Sequence, residues 1–178
     1  MKAIQVHEFG PPEVLTYEDV SRPGPGPGDL LVKVEAAGVN FVDVYQRTGQ
    51  YDADLPFTPG MEAAGEVVAV GLDVERFQRR DRVAYAMHLG AYAEYALVPA
   101  DKAVLIPHGV ESRQAAAVML QGLTAHYLSH STYRLEEHEV ALIHGAAGGV
   151  GSLLVQMAKL RGAHVIGTAS TEEKARRA

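Results

Sequence analysis

The sequence predicts an α/β plus β architecture: a compact, barrel-like β domain over residues 1–111, then the first βαβ part of a parallel α/β domain over 112–178. Three observations carry this reading. Short alternating apolar runs, separated by Gly/Pro turns, fill the first part of the chain, as in small barrels. After Pro107 the apolar residues change to helical spacing, at Ala115, Ala116, Val118, Met119, Leu123 and Tyr127. Finally, the run Val140 to Ile143 leads through a glycine cluster into an amphipathic stretch, and a second apolar run follows at Ala163 to Thr168.

Taken in order, Lys2 to His7 alternates imperfectly and reads as a strand, Phe9-Gly-Pro-Pro12 as a turn and Leu15 to Val20 as a second strand. Arg22-Pro-Gly-Pro-Gly-Pro-Gly-Asp29 reads as a stiff surface loop, because proline lacks the amide donor and glycine the conformational restraint. Leu30 to Ala37 alternates most strongly in the first half. Gly65 to Val70, Asp81 to Ala86 and Gly90 to Val98 continue the strand pattern. Glu111 to Ser129 reads as a helix with Ser112 as a candidate cap, and Arg134 to His138 as a polar connection.

Composition narrows the function classes. The 178 residues, 47% hydrophobic, can build a sizeable core without staples. With no cysteine there is neither disulfide nor thiolate metal site, which fits a cytoplasmic protein. A net charge of −6 leaves no nucleic-acid footprint. No apolar run approaches the roughly 20 residues of a membrane-spanning helix, and Met1-Lys2-Ala-Ile begins without a signal-peptide core.

The glycine cluster reads Gly145-x-x-Gly148-Gly149-x-Gly151, between a strand and a helix marked by Val150, Leu153, Leu154, Met157 and Leu160. The first amides of a helix have no internal acceptor, and its dipole places partial positive charge there. Bare glycines let a dinucleotide's diphosphate approach them. The spacing is not G-x-G-x-x-G, and a tight strand-to-helix turn of any α/β protein has the same residues. An NAD-preferring site carries an acid about 20 residues past the glycines. Here the second strand ends in Thr168-Ala-Ser-Thr171, with Lys174 beyond. No acid repels a 2′-phosphate, and Ser170 and Lys174 suit one, so the expected cofactor is NADPH. Ser170 and Glu173 also fit a capping box, which is compatible with that role. Glu172 and Glu173 are expected to face solvent in the first helical turn.

Ala36-Ala-Gly-Val-Asn-Phe-Val-Asp43, Pro59-Gly-Met-Glu-Ala-Ala-Gly65, Gly122-Leu-Thr-Ala125 and Ala146-Ala-Gly-Gly-Val-Gly151 resemble motifs of the zinc-free, zeta-crystallin-like quinone oxidoreductases. These belong to the medium-chain dehydrogenase/reductase superfamily, and the resemblance runs from residue 1 to 178. It implies a GroES-like domain followed by part of a Rossmann domain, NADPH as cofactor, a small-molecule quinone or enone as substrate, and a homodimer. Zinc-dependent relatives carry Cys and His where Asn40 and Met61 stand, and neither replacement is a good zinc ligand. Of the eight histidines, only His126 and His130 stand at helical i, i+4 spacing, expected as two surface residues.

The same resemblance places Asn40, Asp43, Tyr45 and Tyr51 near the nicotinamide ring and the substrate cleft, and Thr124 near the nicotinamide. Tyr45 is the expected catalytic residue. The cofactor set is Asn40, Tyr45, Thr124, Ala147, Gly148, Gly149, Val150, Thr168, Ser170 and Lys174; Asn40, Tyr45 and Tyr51 line the substrate cleft. Each has a plainer reading: a turn at Asn40, a helix-start carboxylate at Asp43, a half-buried ring at Tyr45, an i−4 bond at Thr124. Arg47 is either a solvated helix residue or a phosphate contact, and Glu62 a structural carboxylate. The expected reaction is hydride transfer to a conjugated carbonyl, quinone or enone; a non-catalytic NADPH-binding protein is the other class. Only one βαβ unit is present, whereas a doubly wound sheet needs strands on both sides of its first. The chain is therefore expected to be a truncated piece of a longer enzyme, poorly stable and weakly active alone. Cover by another chain and a short non-catalytic relative are the competing explanations.

Overall fold

The computed structural model describes all residues 1–178, which divide into two compact units, Met1–Met119 and Leu120–Ala178.

The first unit is built on a five-stranded antiparallel sheet. Strands β1 (Lys2–Val6) and β2 (Leu15–Asp19) form a separate antiparallel pair. The larger sheet contains β3 (Asp29–Ala37), β4 (Glu62–Val70), β5 (Arg82–Ala86), β6 (Tyr95–Pro99) and β7 (Ala103–Leu105), in the order β6-β3-β4-β5-β7. Helix α1 (Phe41–Arg47) lies between β3 and β4 in the chain.

Strand β3 is paired on both of its edges. Leu30 faces Val70 on one side and Val98 on the other, and register shifts after Leu31 and Val34 bend the β3–β4 pair. Leu30, Val32, Val67, Val83, Tyr85 and Val98 are buried together, so the alternating runs close one apolar core. Gly65 lets the two central strands meet: a methyl group there would lie 2.9 Å from the Lys33 carbonyl carbon.

Two expectations need correction. The run from Gly90 is extended only from Tyr95, because residues 90–94 leave the ladder after a single bridge between Ala3 and Ala93. Ser112 does not cap α2 (Ser112–Tyr127) from outside; it is the helix's first residue. The main chain of Ala115 bonds back to Glu111, and the Ser112 hydroxyl donates to Glu35 and accepts from Arg82. Ala115 and Ala116 then pack on Ala64 and Ala84. Helix α2 ends in a π turn at Leu128–Thr132.

In the second unit, β8 (Val140–Ile143) and β9 (His164–Gly167) run parallel, with α3 (Gly149–Leu160) between them and the short α4 (Glu172–Arg177) after β9. Helix α3 covers one face through Leu154, Val155 and Ala158, which pack with Ile143, Ala146 and Ala163. Val140, Leu142 and Ile166 remain more than half exposed. No helix is long and apolar enough to cross a membrane.

Two predictions follow from the first unit's core. Leu30→Ala lowers unfolding stability by about 2–5 kcal/mol through a buried cavity, read from urea midpoints; Leu72→Ala, at a side chain 96% exposed, changes it hardly at all. Burial pushes the phenols of Tyr85 and Tyr92 above the ordinary tyrosine range, with a further push on Tyr92 from Asp43. A raised folded-state pKa contributes stability that is intact below the unfolded value, about 10, and is lost as pH climbs through the folded one. Stability therefore falls at alkaline pH from about 10 upward. Tyr85→Phe, which also removes a buried hydroxyl without a partner, makes that fall shallower in denaturation curves recorded against pH.

Candidate cofactor site and its neighbours

The turn between β8 and α3 brings the chain against itself. Gly145 has φ +63°, a left-handed conformation that favours glycine, and its carbonyl accepts the Gly148 amide at 2.8 Å. Gly148 precedes the helix in extended conformation, and Ser152 makes the first helical bond, to the Gly148 carbonyl. The amides of Gly149, Val150 and Gly151 are therefore left without main-chain acceptors. Gly151 packs on the Gly145 carbonyl, where an added methyl would also lie 2.9 Å from Ala146 Cα. At the adjacent position, a methyl on Gly149 would meet the side-chain amide of Gln121, 2.8 Å from Nε2.

Beside this turn lies a cavity of about 410 Å³ lined by Gly145, Ala147, Gly148, Thr168, Ala169, Ser170 and Lys174. Thr168 joins its two walls: its carbonyl accepts from the Ala146 amide at 3.0 Å, and its hydroxyl lies within bonding distance of the Gly145 amide and of His144 Nδ1. The Lys174 ammonium donates to the Ser170 hydroxyl at 3.2 Å. The expected capping box at Ser170 is not formed. Thr171 is the cap and accepts from the Lys174 amide, which frees the Ser170 hydroxyl to meet the Lys174 ammonium at the cavity. Glu172 and Glu173 are exposed in the first turn of α4.

Ala147, Gly148, Thr168, Ser170 and Lys174 are thus brought together around one cavity, while Gly149 and Val150 open the adjacent helix. Gly145 and Ala169 complete the lining; the first was visible in the glycine cluster, the second only as the residue between Thr168 and Ser170. Thr124 is half-buried on α2 and its hydroxyl donates to the Leu120 carbonyl at 2.8 Å, the i−4 bond.

In the first unit, Asn40 starts α1 in extended conformation, not in a left-handed turn. Its amide donates to Asp43 Oδ2 at 2.8 Å, and its side-chain amide to Glu62 Oε1 at 2.8 Å. Asp43 Oδ2 also accepts the Tyr92 hydroxyl at 2.7 Å, while Oδ1 is buried with no partner. Glu62 is fully buried. Gly38 makes room for it, since a methyl at Gly38 would lie 2.5 Å from Glu62 Cγ. Asn40, Asp43, Arg47 and Tyr92 share a small apolar pocket of about 140 Å³ with Leu15, Val39, Val44 and Pro59. The Tyr92 partnership, 49 residues from Asp43 along the chain, had no local signal.

Tyr45 and Tyr51 do not line that pocket. They form an exposed aromatic ladder with Phe41, with ring centroids 6.5 Å apart for Phe41–Tyr45 and 5.3 Å for Tyr45–Tyr51. Arg47 is half-buried and donates through Nε to the Gly10 carbonyl at 3.2 Å, so part of its guanidinium is committed to the protein. Met61 accepts from Gln46 Nε2 at 3.4 Å through its sulfur. No three His, Cys, Asp or Glu side chains gather into a set that could hold a metal. His126 and His130 stack at 4.2 Å. Arg161 donates to His130 Nε2, and desolvation and that guanidinium hold the imidazole below its ordinary pKa.

Comparison with known proteins shows what the chain is similar to. Residues 26–108 match the alcohol dehydrogenase GroES-like domain. A quinone oxidoreductase of Pseudomonas aeruginosa is 50% identical over 177 residues, covering 98% of this chain and 54% of the relative. A 2-haloacrylate reductase of Burkholderia is 40% identical, covering 97% of this chain and 54% of the relative. The structure of Escherichia coli quinone oxidoreductase complexed with NADPH superposes with a TM-score of 0.97 at 42% identity, over 99% of this chain and 55% of that one. The chain therefore spans about half the length of the relatives it matches. Residues 26–108 thus carry an alcohol dehydrogenase GroES-like domain, and from its first strand to the glycine turn and beyond the chain is similar to the quinone oxidoreductases of the medium-chain dehydrogenase/reductase superfamily.

Proposed function

We propose that the chain forms part of an NADPH-dependent oxidoreductase that passes a hydride to a quinone without zinc. The observation that carries this is the β8–α3 turn: unbonded amides at Gly149, Val150 and Gly151 beside a cavity that ends at Ser170 and Lys174. The residues fit the adenosine-phosphate half of the cofactor. Glycine leaves the amides accessible, the helix dipole favours an anion, and the Lys174 ammonium and Ser170 hydroxyl suit a 2′-phosphate.

When bound, NADPH would supply a hydride, which with one proton taken from water reduces the quinone to a hydroquinone. The protein's part is to hold and orient. Gly148, Gly149 and Val150 seat the diphosphate, with Ala147 leaving space beside it, and Thr168 ties the loop carrying Ser170 to the turn. The family resemblance assigns Thr124 and Asn40 each to the nicotinamide end. Asn40 is fixed for that task by its bonds to Asp43 and Glu62. Tyr45 serves as the hydrogen-bond donor to the carbonyl oxygen that gains charge, and Tyr51 supplies an aromatic wall. With Asn40 and Met61 in place of good zinc ligands, polarisation of the carbonyl falls to such donors. The reading includes a cytoplasmic homodimer, as the family resemblance implies.

A second reading, reduction of an α,β-unsaturated carbonyl, has support from the similarity to the 2-haloacrylate reductase. NADPH oxidation followed with a p-quinone and with an enone, each repeated with NADH, separates them. Faster turnover of NADPH with the quinone is the expected result. Turnover with the enone alone favours the second reading, and tight NADPH binding without turnover marks a binding protein. Lys174→Ala is expected to raise the NADPH dissociation constant about tenfold, the effect of one charged hydrogen bond, while NADH binding holds. Equal loss for both contradicts the assignment of Lys174 to the 2′-phosphate.

A further inference from the structure

A turn with four glycines is conformationally loose, yet it can bind a diphosphate well only if its amides are aimed beforehand. Most of the turn is held locally. Gly145 is fixed by the Gly148 amide bonded to its carbonyl, Ala146 by its bond to Thr168, and Gly151 by packing on the Gly145 carbonyl. Gly149, the first residue of α3, is held differently: its amide has no main-chain acceptor, and the atoms nearest to where its Cβ would stand belong to a side chain of another helix. What stands there is the carboxamide of Gln121, from α2, occupying the space a Cβ at Gly149 would fill.

We propose that Gln121 is a positioning residue for the cofactor's diphosphate: its carboxamide, seated on the bare Cα of Gly149, holds the first turn of α3 so that the amides of Gly149, Val150 and Gly151 converge on one anion. The inference rests on the dinucleotide reading above and adds a residue outside the glycine motif to it. It also gives the Gly148-Gly149 pair a division of labour. Gly148 makes the extended entry into the helix, and Gly149 makes the seat for Gln121. A neutral amide suits the place, because it sets an uncharged carbonyl oxygen beside Gly149, whereas a carboxylate of the same shape would put a negative charge next to the anion that the helix dipole favours.

The opposing group at Gly149 is the end of a side chain, so a methyl there displaces Gln121 and leaves the main chain in place. Gly149→Ala and Gln121→Ala therefore remove the same contact. The test is a double-mutant cycle read in the NADPH dissociation constant and in KM and kcat with a quinone. Each single substitution is expected to raise the dissociation constant and KM about fivefold with kcat retained, and the double substitution to match either single one within about twofold. Gln121→Glu is expected to weaken NADPH more than Gln121→Ala does, although it keeps the side chain's shape. A merely structural Gln121 would lower the thermal midpoint and leave the dissociation constant, measured well below that midpoint, unchanged. That result, or losses that multiply in the double variant, overturns the proposal. A wild-type protein blind to NADPH overturns the dinucleotide reading itself, and the role of Gln121 with it. Wild-type binding with an additive cycle overturns only the role of Gln121.

Discussion

The second unit depends on one close approach of main chain to main chain. Between β8 and α3 the backbone turns so tightly that Gly151 rests on the carbonyl of Gly145, with no space for a side chain at the contact. This contact fixes the angle at which α3 leaves the strand. That angle lets Leu154, Val155 and Ala158 cover the β8–β9 pair and starts the helix, with its unbonded amides, directly after Ala147 and Gly148, which line the cavity with Thr168, Ser170 and Lys174. Packing and the proposed binding thus share one cause: the glycines that allow the helix to dock also put no side chain over its first amides.

The first unit uses the opposite device. Its sheet core is closed by ordinary apolar packing, but the start of α1 is set by buried polar groups. Asn40, Asp43, Glu62 and Tyr92 join β3's exit, α1, β4 and the segment before β6 through three hydrogen bonds of 2.7 to 2.8 Å. Buried polar networks of this kind are costly when incomplete and rigid when satisfied. Asp43 Oδ1 has no partner within the protein, so the network is satisfied on one side of the carboxylate only. The exposed ladder of Phe41, Tyr45 and Tyr51 is presented by the helix that this network anchors.

Much of the fold was legible because it rests on periodicity. Strands such as Asp29–Ala37 and Val140–Ile143 announce themselves through apolar runs, and α3 through its repeating Leu and Val residues. Strand β7, only three residues long, and α1, less than two helical turns beyond its cap, are too short to show a period. The cap of α4 was misplaced by one residue because Ser170 and Thr171 are chemically alike, and local pattern cannot choose between them. In the candidate site, the glycine turn, Ser170 and Lys174 were readable since they are near in sequence. Tyr92 against Asp43 and Gln121 against Gly149 were not: each pair joins segments more than 25 residues apart, and only the folded chain brings them together.

The account stands or falls on an anion meeting the bare amides of Gly149, Val150 and Gly151. Amide proton and nitrogen NMR shifts, recorded while NADPH is added, report on those groups one at a time. The account predicts large shifts and slowed exchange at these three amides and at Ser170, with Gly65, in the β sheet of the first unit, unmoved. Saturating NADPH that leaves Gly149, Val150 and Gly151 unshifted would contradict it.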